Sequence, residues 1–151
     1  MSYLNSLIQK NNLLQLQKIK KNNDEILFLY DLLKSRKNSI SHKKIPTFKE
    51  HYNFVKEHPY RCWYLIKRQN KYIGSIYALK NNNIGVQLKK NFEKYTSDAI
   101  NLFLRKHKPL SEIKSLRTGY YTFNISIKDK TLSSILKKMG GKVVQQTFIL
   151  E

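Results

Sequence analysis

The chain has 151 residues and a mass of 18.0 kDa, the size of one domain. Lys and Arg number 29 against 10 Asp and Glu, a formal net charge of +19. The single cysteine, Cys62, excludes an intramolecular disulfide framework and a multi-cysteine zinc site. No apolar run approaches the ~18 residues of a membrane-spanning helix. The opening MSYLNSLIQKNN lacks the long apolar stretch of a signal peptide. The expectation is a soluble, cytoplasmic protein of one domain over 1–151, with 1–13 an N-terminal extension of uncertain structure.

A pI near 10.0 has two readings. It suits a binder of nucleic acid or of another anion. It also follows from a composition rich in Lys, Asn and Ile together. Only Arg36, Arg61, Arg68, Arg105 and Arg117 supply the forked guanidinium that base and phosphate recognition favours. The lysines are scattered and not blocked. An anionic small ligand therefore ranks ahead of nucleic acid.

In chain order, Leu14, Leu16 and Ile19 alternate with polar residues, a strand pattern. Asn22-Asn23-Asp24 opens a helix, with Ile26, Leu29, Tyr30 and Leu33 at helical spacing and Lys34, Arg36 and Lys37 at its end. Residues 38–46 form a loop. Thr47 and Glu50 make a capping box for a second helix that ends at Pro59. A β meander follows: RCWYLIKR, the turn QNK, YIGSIYAL, the turn NNN, and IGVQL. KKNFEKYTS reads as a polar loop, and Thr96 or Ser97 as the cap of the helix DAINLFLRKH, which Pro109 stops. Residues 110–119 carry no clear pattern. YYTFNI reads as a strand, Asp129 or Thr131 as the start of a short helix ended by Gly140-Gly141, and KVVQQTFIL as a last strand. The order is βαα-βββ-α-β-α-β, a mixed α/β domain with one parallel crossover.

The meander WYLIKRQNKYIGSIYALKNNNIGVQL and the tail ILKKMGGKVVQQTFIL, in this order of elements, resemble the GCN5-related N-acetyltransferase (GNAT) family over residues 14–150. ISHKKIPTFKEHYNFVKEHPYRCWYLI resembles the front half of members from surface-sugar biosynthesis. The resemblance implies a single α/β GNAT-like domain with a mixed, mostly antiparallel sheet of about six to seven strands and about four helices. It implies acetyl-CoA as acyl donor, a small-molecule amine as acceptor, an amino sugar among the candidates, and no membrane partner. It places a V-shaped cleft between the third and fourth main strands. Val86, Gln87 and Leu88 take the place of the strand that pairs with the amide-like pantetheine arm. Lys94, Tyr95, Thr96 and Ser97 take the place of the pyrophosphate loop at a helix N-terminus. Asp129 falls on the family's Asn of the Asn-x-x-Ser-x-x-x-Tyr pattern.

The chain departs from the family in two motifs. Its loop, Glu93 to Ser97, carries no glycine, and Glu93 adds a like charge beside phosphate that Lys89, Lys90 and Lys94 offset. Leu132 and Leu136 stand where the family has Ser and Tyr, so the usual proton donor to the leaving thiolate is missing. The remaining chemistry candidates are Asn124 and Tyr121 in the fifth strand and a histidine base, His51, with His42 and His58 as further candidates. His107 reads as a helix cap, and Cys62 as packing. For the acceptor, Arg36 and Asn38, with Lys37, follow the first helix, and Trp63 and Tyr77 lie in an aromatic cluster with Tyr60 and Tyr64. No metal-ligand spacing occurs. The rival expectations are a GNAT-like binding module without catalysis and a basic nucleic-acid-binding protein.

Overall fold

The computed structural model describes residues 13–38 and 44–150. Its centre is the expected meander. β1 (Gln15–Lys18), β2 (Cys62–Arg68), β3 (Lys71–Ala78) and β4 (Ile84–Leu88) form one antiparallel sheet in the order β1-β2-β3-β4. Gln69 and Asn70 both take positive φ (49° and 59°), the turn geometry whose twist suits a two-residue hairpin.

Alternation along β2 sends side chains to both faces of the sheet, and both are covered. Cys62, Tyr64 and Ile66 face a cluster with Ile76, Ile100 and Phe103, which α3 (Thr96–Lys106) packs on. Leu136 of α4 (Lys130–Lys138) adds to that side. Trp63 and Leu65 face Ile26, Leu29 and Val55, brought by α1 (Asn23–Lys34) and α2 (Phe48–Glu57).

The caps read from the sequence form as read. Asn22 Oδ1 accepts from Glu25 N at 2.9 Å, and Thr47 and Glu50 make the reciprocal capping box. Glu25 is fully buried, and its carboxylate accepts from Lys20 N (2.6 Å), Lys21 N (2.8 Å) and Gln17 Nε2 (3.0 Å). That cluster fixes the turn from β1 into α1. At the far end, Gly140 takes φ 90° and Gly141 N donates to Leu136 O at 2.8 Å, closing α4.

Four expectations need correction. The sheet has four strands among the described residues, not six to seven. YYTFNI is not a strand: Thr122 alone bridges, in parallel, to Asn83, after which the segment runs on without a ladder. KVVQQTFIL is exposed and has no strand partner among the described residues. The polar loop before α3 is a 3₁₀ helix, Lys90–Tyr95, running directly into α3, which Tyr95 precedes without a side-chain cap. Thr96 therefore spends its hydroxyl on Glu93 O (2.7 Å) and caps nothing. His107 is the C-cap of α3 as read, its N–H donating to Phe103 O at 2.9 Å, and its imidazole Nε2 meets Tyr64 Oη at 2.8 Å. Residues 1–12, most of the N-terminal extension, and His42 lie outside the described residues. No helix among the described residues is long and apolar enough to cross a membrane.

Candidate functional site

β4 is the edge of the four-stranded sheet, and its free side is where the site forms. Ile84 N donates to Thr122 O at 2.8 Å, and Thr122 N donates to Asn82 O at 3.1 Å. Asn83 O and Lys89 N bond instead toward the β3 side, to Leu79 N and Ile73 O, both at 2.8 Å. Backbone groups alternate along an antiparallel edge. Gly85 and Gln87 therefore pair with β3, while Val86 and Leu88 turn their N–H and C=O groups away from it. The segment beyond Thr122 does not follow β4, so these groups face an opening. The cleft lies here and not between the third and fourth strands, where β3 and β4 stay in unbroken register from Gly74↔Leu88 to Ala78↔Ile84.

The vertex of the opening is held by a residue that the sequence reading passed over as a turn. Asn82 is fully buried at φ 66°. Its Nδ2 donates to Leu110 O (2.8 Å) and Thr118 O (2.7 Å), and its Oδ1 accepts from Leu110 N (2.8 Å). One amide thus ties the patternless 110–118 stretch to the β3–β4 turn and sets Thr122 beside β4.

Two cavities flank β4, and Val86 and Gln87 border both. The smaller, about 90 Å³, is a groove between β4, the start of α3 and α4, lined by Leu88, Glu93, Thr96, Asp129 and Leu132. The larger, about 340 Å³, lies on the opposite face under α1 and α2, with Arg36, His51, Tyr60, Trp63 and Tyr77 in its wall.

Side chains in the larger cavity are fixed by polar contacts. Gln87 Nε2 donates to Leu32 O at 2.7 Å, and its Oε1 accepts from Arg36 Nε at 3.3 Å. The end of α1 is thereby clipped to β4, and the guanidinium is aimed by a neutral partner. The Tyr60 and Tyr77 rings stack at 4.1 Å with a 7° interplanar angle. Burial, with Tyr77 adding to it, pushes the Tyr60 hydroxyl pKa well above the usual phenol value. Trp63 Nε1 donates to Ser75 Oγ at 2.6 Å. His58 stands edge-on to Trp63 at 5.0 Å, and its Nδ1 accepts from Tyr60 N. His51 is buried, with Nε2 3.2 Å from Ile26 O. A carbonyl only accepts, so Nε2 carries the proton and Nδ1 holds the lone pair. Burial lowers the His51 pKa, the Ile26 contact partly opposing it, so the ring is neutral near pH 7. Glu50 also reaches this wall, but its carboxylate is spent on Thr47 N and Oγ1.

The other expected residues are dispersed. Thr96 and Asp129 line the small groove, where Asp129 Oδ1 also accepts from Leu132 N at 3.0 Å. Lys94 and Tyr95 sit in the 3₁₀ helix, and Tyr95 has the Arg68 guanidinium at 4.9 Å and Lys94 Nζ at 5.3 Å over its ring. Ser97 is half-buried outside the groove lining. Lys89 Nζ lies over Phe28 at 5.0 Å, on the α1 side and away from the groove. Tyr121 packs its ring on Phe103, and among the described residues neither its buried hydroxyl nor Arg61 Nη1 has a well-formed hydrogen bond. Burial raises the Tyr121 pKa, against the nearby Arg61 charge. Asn124 is exposed and Asn38 half-buried, and neither lines either of these two cavities. Cys62 is buried, which raises its thiol pKa. Tyr60 lines the wall with the rest of the expected aromatic cluster except Tyr64, and Ser75 was not expected there. The signal for Ser75 was the register that sets Trp63 opposite Tyr77 and Leu65 opposite Ser75.

The groove fits a pantetheine arm in one respect that the backbone itself supplies: Val86 and Leu88 offer amide donors and acceptors to a partner outside the sheet. The start of α3 fits phosphate less well. The 3₁₀ helix already uses N–H groups that a glycine loop would present, with Phe92 N on Lys89 O (2.8 Å), and Glu93 and Asp98 lie at that end.

No protein-family model and no curated protein matches the sequence. Solved structures do match. A domain from Methanocaldococcus jannaschii is 16% identical, with a TM-score of 0.70 over 89% of this chain and 92% of that one. The N-acetyltransferase PseH of Campylobacter jejuni, in complex with acetyl coenzyme A, is 15% identical, with a TM-score of 0.63 over 89% and 92%. A chimera of the spermidine N-acetyltransferase SpeG from Vibrio cholerae is 13% identical, with a TM-score of 0.63 over 91% and 87%. At these identities it is the fold that is shared: the chain has the fold of the GCN5-related N-acetyltransferases.

Proposed function

We propose that the protein is an N-acetyltransferase that moves an acetyl group from acetyl-CoA to a primary amine held in the larger cavity. The observation that carries this is the position of β4. It separates two cavities, and its outward backbone groups at Val86 and Leu88, unpaired among the described residues, can bind an amide-bearing arm. The neighbour from Campylobacter jejuni holds acetyl coenzyme A, which supports the same donor here.

Acetyl-CoA, when bound, supplies an activated acyl carbon. The chain's part is to hold the donor along Val86 and Leu88, to keep the amine on the other side of β4, and to remove its proton. His51 Nδ1 is the base, since burial keeps the ring neutral and Nε2 is committed to Ile26. Positioning of the two reactants then accounts for much of the acceleration, with direct attack and no covalent enzyme intermediate. Thr96 and Asp129 contact the donor in the groove. Lys94, Tyr95 and Ser97 lie around the start of α3, where its phosphates would be received. Tyr121 and Asn124, on the segment facing β4, are the remaining candidates for contact with the acyl group.

Arg36 and the Tyr60–Tyr77 and Trp63 aromatics favour a ring-bearing acceptor with an anionic group, such as a nucleotide-linked amino sugar, over a polycation. A chain of net charge +19 also repels polyamines. The test is release of free thiol from acetyl-CoA with a panel of amines. Turnover should occur with anionic amino sugars and not with spermidine, and Arg36→Ala should raise KM for the acceptor about tenfold, the loss of ~1.4 kcal/mol. Binding of acetyl-CoA without turnover on any amine would establish instead the catalytically inactive binding module, which Leu136 and the 3₁₀ helix favour.

A further inference from the structure

Among the described residues that line the larger cavity, two polar ones are buried: Ser75 at 6% exposure and His51 at 5%. Each is held in one hydrogen-bonding sense by its partner. His51 gives its Nε2 proton to Ile26 O and keeps a lone pair at Nδ1. Ser75 is held in the opposite sense. Trp63 Nε1 donates to Ser75 Oγ at 2.6 Å, and an indole N–H only donates. The hydroxyl therefore accepts from Trp63, and its own proton points elsewhere. Among the described residues no group accepts that proton. Gln87, directly opposite Ser75 in the β3–β4 register, commits its amide to Leu32 O and Arg36 Nε. Leu65, opposite Ser75 in β2, is apolar. A buried O–H without an acceptor is destabilising, and the cavity is the side left open to it.

An acceptor atom on a ligand relieves that strain. The reacting amine is not that atom, because a lone pair drawn to the Ser75 proton is withheld from the acyl carbon. An anionic group belongs at the mouth of the cavity, where Arg36 is exposed. A neutral oxygen remains: a hydroxyl, ring or carbonyl oxygen. It lies close to the amine in the ligand, since Ser75 and the base His51 are both buried while Arg36 is not. We propose that Ser75, its proton aimed by Trp63, determines acceptor specificity by donating to a neutral oxygen carried beside the reacting amine. This rests on the larger cavity being the acceptor side, as read above. The acceptor then carries an amine, a neutral oxygen next to it and an anionic group farther off. Trp63 is a positioning residue that acts through the Ser75 hydroxyl.

Calorimetric titration of glucosamine 6-phosphate against its 3-deoxy and 1-deoxy analogues, each lacking one hydroxyl that flanks the amine, tests this. The unmodified protein should bind the parent about tenfold more tightly than one of the two analogues. In Ser75→Ala that difference should vanish, with acetyl-CoA affinity unchanged. Ser75→Ala leaves the Trp63 N–H without its partner, so the double variant Ser75→Ala/Trp63→Phe, which removes both polar groups, should bind all three compounds alike as well. Equal binding of parent and analogues by the unmodified protein overturns the proposal, as does no binding of the parent at millimolar concentration. A difference that survives in either folded variant overturns it too, and so does an equal weakening of all three ligands, which a merely structural serine would give. Discrimination in binding without release of thiol from acetyl-CoA would overturn acetyl transfer and uphold the role of Ser75.

Discussion

Replacing Gly85 by alanine should damage the acceptor side of the site and spare the donor side. Gly85 sits across from Tyr77 in the β3–β4 register, with the Tyr77 ring lying over it. A Cβ built at position 85 would stand 2.2 Å from Tyr77 Cζ, 2.4 Å from its Oη and 2.5 Å from its Cε1. All three are far inside contact distance, so the ring must leave its place. It cannot do so freely, because its other face is stacked on Tyr60 at 4.1 Å. Overpacking of this kind costs about 1–3 kcal/mol. In a domain of this size that is a fall in Tm of roughly 2–12 °C. The outward backbone groups of Val86 and Leu88 are not touched, so acetyl-CoA affinity should change by less than about twofold, a few tenths of a kcal/mol. The acceptor KM should rise. A double-mutant cycle with Tyr77→Leu isolates the clash: in that background Gly85→Ala should cost about 1 kcal/mol less than in the parent. An unchanged Tm for Gly85→Ala, or a penalty that persists in full without the tyrosine ring, would refute the placement of Tyr77 over β4.

Asn82→Ala removes three hydrogen bonds from a buried position and leaves Leu110 N, Leu110 O and Thr118 O unpaired; urea unfolding should show a loss of about 2–4 kcal/mol, and exchange of the Thr122 amide should accelerate selectively. Burial lowers the pKa of His51, His58 and His107 below 6.5 in the folded protein, so the unfolded chain binds more protons between those values and 6.5. Stability should therefore fall as pH drops below about 6.5 and level off at lower pH, and His51→Asn should flatten that slope in thermal unfolding, an unchanged slope counting against its burial as a neutral ring. Arg68→Ala with Lys94→Ala removes the two cations around Tyr95 at the start of α3; acetyl-CoA binding should weaken more at low salt than at high, and equal loss at both would remove this end of α3 from the phosphate site.

What could be read in the sequence was local. The Asn22 and Thr47 caps, the Gly140-Gly141 stop and the meander all depend on neighbours in the chain, and all form. Arg36, Trp63 and Tyr77, named together from the sequence, all line the larger cavity, whereas Tyr64 of the same aromatic cluster faces the other side of the sheet. What depended on distant partners was not legible. YYTFNI and KVVQQTFIL have the composition of strands, but a strand also needs an edge to pair with. Among the described residues, Thr122 finds one bridge and the tail finds no partner strand. The stretch before α3 lacks glycine, and without positive φ the chain winds into a 3₁₀ helix instead of spreading as a loop. Asn82 looked like one of three turn residues. Only the fold brings Leu110 and Thr118 to its amide.

The central claim is that β4 divides a donor groove from an acceptor cavity. Calorimetric titration of acetyl-CoA into the purified protein at moderate salt tests it most directly. Micromolar binding at one site per chain, weakened by a charge placed on β4 through Val86→Asp but not by Arg36→Ala, is the predicted result. No heat of binding at millimolar acetyl-CoA would contradict it and leave a GNAT-shaped protein that does not use this donor.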